Sequence, residues 1–270
     1  MPELPEVETV VQGLLRCELL GKRVTAVDVY WPRLVEEGDA RLLVGKNLSG
    51  ISRRGKFIVM EFGSKCNLLI HLRMTGKIHL GKASDPIQAH EKGRILFQDI
   101  ALCYSDVRTF GRWYAVLSVQ QFLQHLGPDP FDEEFDAKKL IAVLKGTKRR
   151  LKALLLDQGF IAGIGNIYAD EALFVAQLHP SRHADSLASK DAERLLLAIR
   201  QVLEQGIRYG GSSLGKGKGN FQSLYGSFGN NQERFQVYQR AGLPCFTCQS
   251  PIQKIVISQR STHFCPNCQR

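Results

Sequence analysis

Cys245-Phe-Thr-Cys248-Gln-Ser-Pro-Ile-Gln-Lys-Ile-Val-Ile-Ser-Gln-Arg-Ser-Thr-His-Phe-Cys265-Pro-Asn-Cys268 is the stretch from which the rest of the chain is read. Two Cys-x-x-Cys knuckles separated by sixteen residues have the spacing that delivers four thiolates to one tetrahedral zinc. Between them, 252–257 and 261–264 read as a hairpin that holds the knuckles together. A site closed by four thiolates has no open coordination position, so the metal expected here is structural. From Cys245 to Arg270 there is no acidic side chain, while Lys254, Arg260 and Arg270 are present. A small basic ribbon of this kind suits nucleic acid, and any chemistry must lie elsewhere in the chain.

At 270 residues, the chain has room for two domains beside the ribbon. Lys and Arg outnumber Asp and Glu by 36 to 26, a net charge of +10, which favours a polyanionic partner. From 138 to 152 there are seven basic residues and no acid. Lys145, Lys148, Arg149 and Lys152 fall at helical spacing there and read as a phosphate-facing stripe. No apolar run reaches the roughly 18 residues of a membrane span. The start, Met-Pro-Glu-Leu-Pro-Glu, lacks the basic and apolar regions of a signal peptide. Cys17, Cys66 and Cys103, outside the knuckles, suit a reducing compartment. A cytoplasmic monomer without a membrane partner is expected.

Residues 6–18 carry Val7, Val10, Val11, Leu14 and Leu15 on one helical stripe, with Pro5 placed for the first turn. From about 24 to 117 the pattern changes to short apolar or alternating segments, at 24–30, 48–53, 57–62, 68–72, 95–97, 102–104 and 113–117. Glycine, Asn and Asp punctuate them. Many short strands without long intervening helices predict a β-sandwich or barrel. After Gly127-Pro-Asp-Pro130 the pattern turns helical, with candidates at 136–145, 148–157, 167–176 and 188–208. Asn166 is placed to cap the third of these, behind a glycine-rich approach whose N–H groups suit a phosphate. The five glycines of 210–219, with Lys216 and Lys218, read as a loop or hinge. The expected class is α+β. Its parts are a β-sandwich domain over 1–130, a helical domain over 131–225 and a four-cysteine finger over 235–270.

Pro2 is a candidate for the chemistry, although a proline next to the initiator is common and ordinarily has no function. Removal of Met1 leaves it with a secondary α-amine, which titrates near pKa ~7.7–8 and is partly unprotonated at neutral pH. Such an amine can attack the anomeric carbon of a nucleoside, expel the base and form an iminium that drives elimination of the phosphates. Glu3 and Glu6 lie just beyond it for proton transfer.

Three separated motifs, in order, now carry a family resemblance over essentially the whole length. Met-Pro-Glu-Leu-Pro-Glu-Val-Glu-Thr at the start, Gly163-Ile-Gly-Asn-Ile-Tyr168 and the four-cysteine ribbon together resemble the formamidopyrimidine-DNA glycosylases, bacterial 8-oxoguanine glycosylases with AP lyase activity. The resemblance implies a β-sandwich facing a helix–two-turn–helix domain, with damaged double-stranded DNA in the cleft between them, and one structural Zn2+. It implies Pro2 as nucleophile, Glu3 as the acid of sugar-ring opening, Glu6 as its support and Lys56, in Arg53-Arg54-Gly55-Lys56-Phe57, at a phosphate near the lesion. His71, His90, Asn166, Arg260 and Lys152 are implied against the DNA backbone, and Glu171 near the damaged base. Met74 in His71-Leu-Arg-Met74-Thr-Gly76, with Arg108 and Phe110 in Asp106-Val-Arg108-Thr-Phe110-Gly111, matches the triad that fills the gap of a flipped nucleotide.

The chain also departs from the family pattern. Lys92 and Gly93 follow His90 where a second histidine is frequent, Ala153 replaces a proline after Lys152, and the lesion-capping stretch 214–226 differs. In that stretch Phe221 or Tyr225 is the candidate cover for the everted base. The nearest alternative is an endonuclease VIII-type enzyme for oxidised pyrimidines. Leu4-Pro5-Glu6-Val7 and the Arg108/Phe110 pair favour the purine enzyme. A noncatalytic damage-binding protein would have no need of Pro2, Glu3 and Lys56. A catalytic zinc hydrolase lacks a His or Glu cluster beside the cysteines.

Overall fold

The computed structural model describes residues 1–63, 65–215 and 221–270. Lys216, Lys218 and Gly219 of the glycine-rich stretch lie outside the described residues. The chain forms two compact units, Met1–His125 with Tyr209–Asn230, and Leu126–Arg208 with Asn231–Arg270. The stretch expected to close the helical domain, up to residue 225, is therefore divided, and 209–230 packs in the first unit.

The first unit opens with helix α1 (Leu4–Leu15), with Pro5 in its first turn, where a missing N–H costs nothing. Its apolar stripe, Val7, Val10, Val11 and Leu14, is buried in the core. Among the described residues the strands that follow are β1 (Ala26–Val29), β2 (Val35–Glu37), β3 (Gly50–Arg54), β4 (Phe57–Glu61), β5 (Asn67–His71), β6 (Gly76–Lys82), β7 (Glu91–Phe97), β8 (Ile100–Asp106) and β9 (Arg112–Val116). They make a sandwich of two sheets, in the orders β1-β7-β8-β6 and β2-β9-β5-β4-β3. Ile95, Phe97, Leu102 and Tyr104 from the first sheet meet Ile58, Met60, Leu68, Ile70 and Trp113 from the second. The alternation of side chains along a strand selects these inward sets.

Two strands were not anticipated. β2 has three residues and joins by a parallel pairing with β9 that shifts register between Val35 and Glu37, so no local period announces it. β6 begins at Gly76, which reads as a breaker. It is glycine because a Cβ there would stand 2.3 Å from the Tyr104 hydroxyl.

The returning segment 209–230 completes the first core, to which Phe221 and Leu224 belong. Phe221 is 2% exposed, so of the two candidate covers it is a core residue, and only Tyr225, 64% exposed, faces solvent. The Tyr225 hydroxyl lies 3.0 Å from Cys17 Sγ.

After α2 (Val119–Phe122), the second unit contains α3 (Ala137–Lys145), α4 (Leu151–Leu155), α5 (Asn166–Val175), α6 (Ser189–Arg208) and the hairpin β10 (Gln253–Ile257) and β11 (Arg260–Phe264). α3 stops at Gly146, and α4 resumes only at Leu151. The basic run over 138–152 is thus not one helical stripe. Gly165, not Asn166, is the N-cap of α5, and Asn166 is the first helical residue. Among the described residues no helix is long and apolar enough to cross a membrane.

Candidate active site and nucleic-acid contacts

Pro2 is buried at the entrance of α1, and Glu3 and Glu6 behind it are 3% and 1% exposed. Buried carboxylates require partners. Glu6 Oε2 accepts the Glu3 N–H at 2.8 Å, closing the helix start, and its Oε1 accepts the Ser212 N–H at 2.7 Å. One carboxylate therefore fixes the backbone beside Pro2 and ties the returning segment to the same helix.

Lys56 sits in the two-residue connection between β3 and β4, where Arg54 pairs with Phe57. Arg53 holds that connection in place: its Nε meets Glu8 of α1 at 2.9 Å and its guanidinium donates to the Gly55 carbonyl at 3.2 Å. Lys56 is only 6% exposed. His71, on β5, packs edge-on against Phe57 and accepts the Arg73 N–H on Nδ1 at 3.0 Å. Burial, reinforced by the Arg73 and Lys56 charges, pulls the imidazole down to about 3. His90, by contrast, is exposed, with φ 65°.

The neutral His71 gives a signed pH dependence. An unfolded histidine takes its proton near pKa ~6.5, whereas the folded ring refuses it until far lower pH, so the unfolded chain binds more protons in between. Stability is then level above about pH 6.5 and falls below it, by at most about 1.4 kcal/mol per pH unit from this group. His71→Asn, which keeps an acceptor for the Arg73 N–H but cannot titrate, should flatten that slope. Urea midpoints across the acid range compare the two chains, and an equal slope in both would remove His71 as the cause.

Met74, Arg108 and Phe110 are brought together at one end of the sandwich. An Arg108 guanidinium nitrogen lies 3.3 Å from Met74 Sδ, and the guanidinium sits 4.7 Å from the Phe110 ring centre. Met74 and Phe110 are 39% and 45% exposed. Apolar side chains left in water beside a cation, on a unit with a well-filled core, are the observation to be explained.

The residue that organises them is Asp106, 1% exposed at the end of β8. Oδ1 accepts the Thr75 hydroxyl and the Arg108 N–H, the latter at 3.1 Å, and Oδ2 accepts the Gly111 N–H at 2.8 Å. One carboxylate thus joins the turn that bears Met74 to the loop that bears Arg108 and Phe110. A Cβ on Gly111 would stand 1.5 Å from the Tyr104 hydroxyl, so the loop closes only with glycine there. Asp106 went unassigned in the sequence because its partners are two backbone N–H groups and a hydroxyl thirty-one residues away, which no spacing rule reveals.

In the second unit, Asn166 Nδ2 donates to the Ser261 carbonyl at 3.0 Å, next to the exposed Arg260. Helix start and hairpin are thereby joined. Asn166 Oδ1 is buried without a hydrogen-bond partner.

Two expected site residues have other positions. Lys152 is not on the surface: its side chain is 0% exposed, and Nζ meets Asp170 Oδ1 at 2.6 Å and the Asn166 carbonyl at 2.8 Å. Full burial together with the ion pair to Asp170 commits its ammonium to the protein interior. Glu171 is spent on the backbone, accepting the N–H groups of Gln236, Val237 and Tyr238 at 2.8, 3.0 and 2.8 Å. Burial pushes its carboxyl up and the three N–H groups hold it back. It anchors the approach to the finger through these three bonds.

The four cysteines gather within 4.8 Å of one another. Cys245 and Cys268 have sulfurs 3.9 Å apart, and Cys248 and Cys265 3.3 Å. These separations exceed a disulfide bond by far, and they bracket the roughly 3.8 Å that a tetrahedron of ~2.3 Å Zn–S bonds requires. The cluster fits one structural zinc, and Val237, Ile252 and Phe174 pack beside it.

Comparison with known proteins places these features in a family. Residues 1–113 match the formamidopyrimidine-DNA glycosylase N-terminal domain, 126–217 the formamidopyrimidine-DNA glycosylase H2TH domain and 242–270 the zinc finger found in FPG and IleRS. The formamidopyrimidine-DNA glycosylase of Protochlamydia amoebophila is 38% identical over 100% of both chains. That of Lactococcus lactis subsp. lactis is 39% identical, again over 100% of both. The crystal structure of wild-type Lactococcus lactis Fpg (MutM) with an N7-benzyl-Fapy-dG containing DNA superposes with a TM-score of 0.90 at 39% identity, covering 100% of both chains. The Lactococcus lactis Fpg complex with an abasic site containing DNA gives 0.89 at 38% identity over 99% of both.

Proposed function

Since the chain belongs to the formamidopyrimidine-DNA glycosylase family, we propose that it excises 8-oxoguanine and formamidopyrimidines from duplex DNA and then cuts the abasic site by β,δ-elimination. The observation that carries this reading is the fixed entrance of α1, where Pro2 is buried and Glu6 holds the N–H of the adjoining Glu3. Loss of Met1 turns the Pro2 nitrogen into an amine. Its lone pair bonds to C1′ of the damaged nucleotide as the bond to the base breaks, and the base leaves with that electron pair and a proton. Glu3 supplies the proton that opens the sugar ring. The resulting iminium draws electrons from the sugar, so that loss of a C2′ proton expels the 3′-phosphate and loss of a C4′ proton expels the 5′-phosphate. Water then releases the enzyme.

A stacked base cannot present its anomeric carbon, so the nucleotide must be everted. Met74 and Phe110 would occupy the vacated space, and Arg108 would hydrogen-bond the orphaned partner base. Lys56, His71 and His90 would serve the DNA backbone in the first unit, and Asn166 and Arg260 in the second. The basic excess supports binding that weakens with salt.

Borohydride trapping on duplexes carrying 8-oxoguanine opposite cytosine tests the assignment. A covalent adduct on that duplex, and little on one carrying thymine glycol, is expected. The reverse preference would move the chain to pyrimidine lesions, and tight binding without an adduct on either would leave a damage-binding protein.

Asp106→Ala separates eversion from chemistry. It leaves buried donors without an acceptor, at about 1–3 kcal/mol each. Excision of a base-paired lesion is expected to fall about 10-fold or more, the rate equivalent of about 1.4 kcal/mol. Cleavage of a preformed abasic site should change little. Equal losses on both substrates would show that Asp106 only maintains the fold.

A further inference from the structure

A second cluster of ligand-type side chains lies on the outer face of the β1-β7-β8-β6 sheet. His79 on β6 stands opposite Cys103 on β8, and Arg94 on β7 stands opposite Cys103 from the other side. Their neighbours Ile78, Ile95, Leu102 and Tyr104 enter the core, so alternation turns His79, Arg94 and Cys103 outward. That face is not bare. The connection over 83–90 reaches back to it, and the Asp85 and Pro86 carbonyls accept from the Arg94 guanidinium at 2.7 and 2.8 Å. Glu91, 5% exposed, pairs with Arg94 and accepts the Gln88 N–H at 3.0 Å. Inside this pocket a His79 ring nitrogen, a Glu91 oxygen and Cys103 Sγ all lie within 4.8 Å of one another. Among the described residues, the only other group that gathers its His, Cys or carboxylate atoms in this way is the four-cysteine cluster.

We propose that His79, Glu91 and Cys103 form a second metal site, for a thiophilic divalent cation of the zinc and cadmium class. One imidazole, one thiolate and one carboxylate are the donor types such an ion accepts, and three protein ligands leave a fourth position for water. Ligands in a tetrahedral site stand about 3.3–3.8 Å apart, so the three side chains need only a small inward adjustment on binding. Cys103 releases its proton to solvent and gives the sulfur lone pair to the metal. Glu91 turns one oxygen to the ion and keeps the other on Arg94, which retains its two carbonyl partners. The pocket goes from neutral, with Glu91 and Arg94 balanced, to one net positive charge. The Arg94 charge opposes the ion, so this site binds more weakly than the four-thiolate finger, and a chelator empties it first. When filled, it clamps β6, β7 and β8 together.

Metal counting on the full-length protein tests the site. After equilibration with Zn2+ or Cd2+ and removal of unbound ion, the wild-type chain should hold two ions. Cys103→Ser and His79→Ala should each hold one. With Cd2+, the thiolate-to-metal absorbance should rise in a second step that is missing from Cys103→Ser. His79 is only half-buried, so His79→Ala carries the test if the cysteine variant fails to fold. A single ion in the wild-type chain under saturating metal overturns the proposal, as does a second ion that persists in both variants.

Discussion

A chain that keeps Met1 is expected to form no covalent adduct with lesion-bearing DNA, while it still binds that DNA. The difference is one bond. With Met1 in place the Pro2 nitrogen is an amide, its lone pair is delocalised into the carbonyl and it cannot add to C1′. Without Met1 it is a secondary α-amine, a class whose unperturbed members titrate at ~7.7–8. Glu3 and Glu6 should be unaffected, because the bonds from Glu6 to the Glu3 N–H and the Ser212 N–H do not involve Met1. Chains with Met1 retained, or acetylated on Pro2, should therefore lose trapping and strand cleavage completely and keep their affinity. Mass mapping of the trapped peptide provides the complementary result, an adduct on Pro2 with Met1 absent. An adduct formed with Met1 in place would assign the nucleophile to another amine.

Lys152→Met is the substitution with the largest expected effect on stability. The ion pair with Asp170 is fully buried on both sides. Asp170 also accepts the His263 N–H at 2.9 Å, so it joins α4, α5 and β11. Removing one partner of a buried pair leaves an uncompensated charge, at about 3–5 kcal/mol, a large part of the stability of an ordinary domain. Replacing both, as in Lys152→Met with Asp170→Leu, should recover part of that loss, limited by the orphaned His263 N–H. Urea denaturation measures the stability, and the salt dependence of DNA binding distinguishes the alternative. A buried lysine contributes nothing to counterion release, so the slope should not change. A variant of normal stability with a shallower slope would return Lys152 to the phosphate-contacting set.

Lys152 also shows where the sequence stops being legible. A run of cations looks alike whether its members face water or a buried carboxylate, and the carboxylate here lies eighteen residues away on another helix. The anchoring partners of Glu171 were hidden for a similar reason, since backbone N–H groups at 236–238 leave no trace in composition. The finger was plain because metal geometry fixes cysteine spacing. α6 was plain because twenty residues of amphipathic pattern tolerate no other reading. Met74, Arg108 and Phe110 were found by resemblance alone, and Asp106, which gathers them, was not found. The His79–Glu91–Cys103 cluster is assembled by strand register, a property of the folded sheet.

The return of 209–230 to the first unit has a consequence for how the chain is made. Phe221, Leu224 and the Ser212 N–H that Glu6 requires emerge from the ribosome after the whole of Leu126–Arg208. The sandwich therefore cannot finish its core when its last strand is synthesised. Until then it presents the α1 surface on which Leu224 later covers Gly13. Domain-by-domain folding during synthesis is interrupted at this point, and a fragment ending at His125 would remain an unfinished sandwich, with apolar surface open to aggregation.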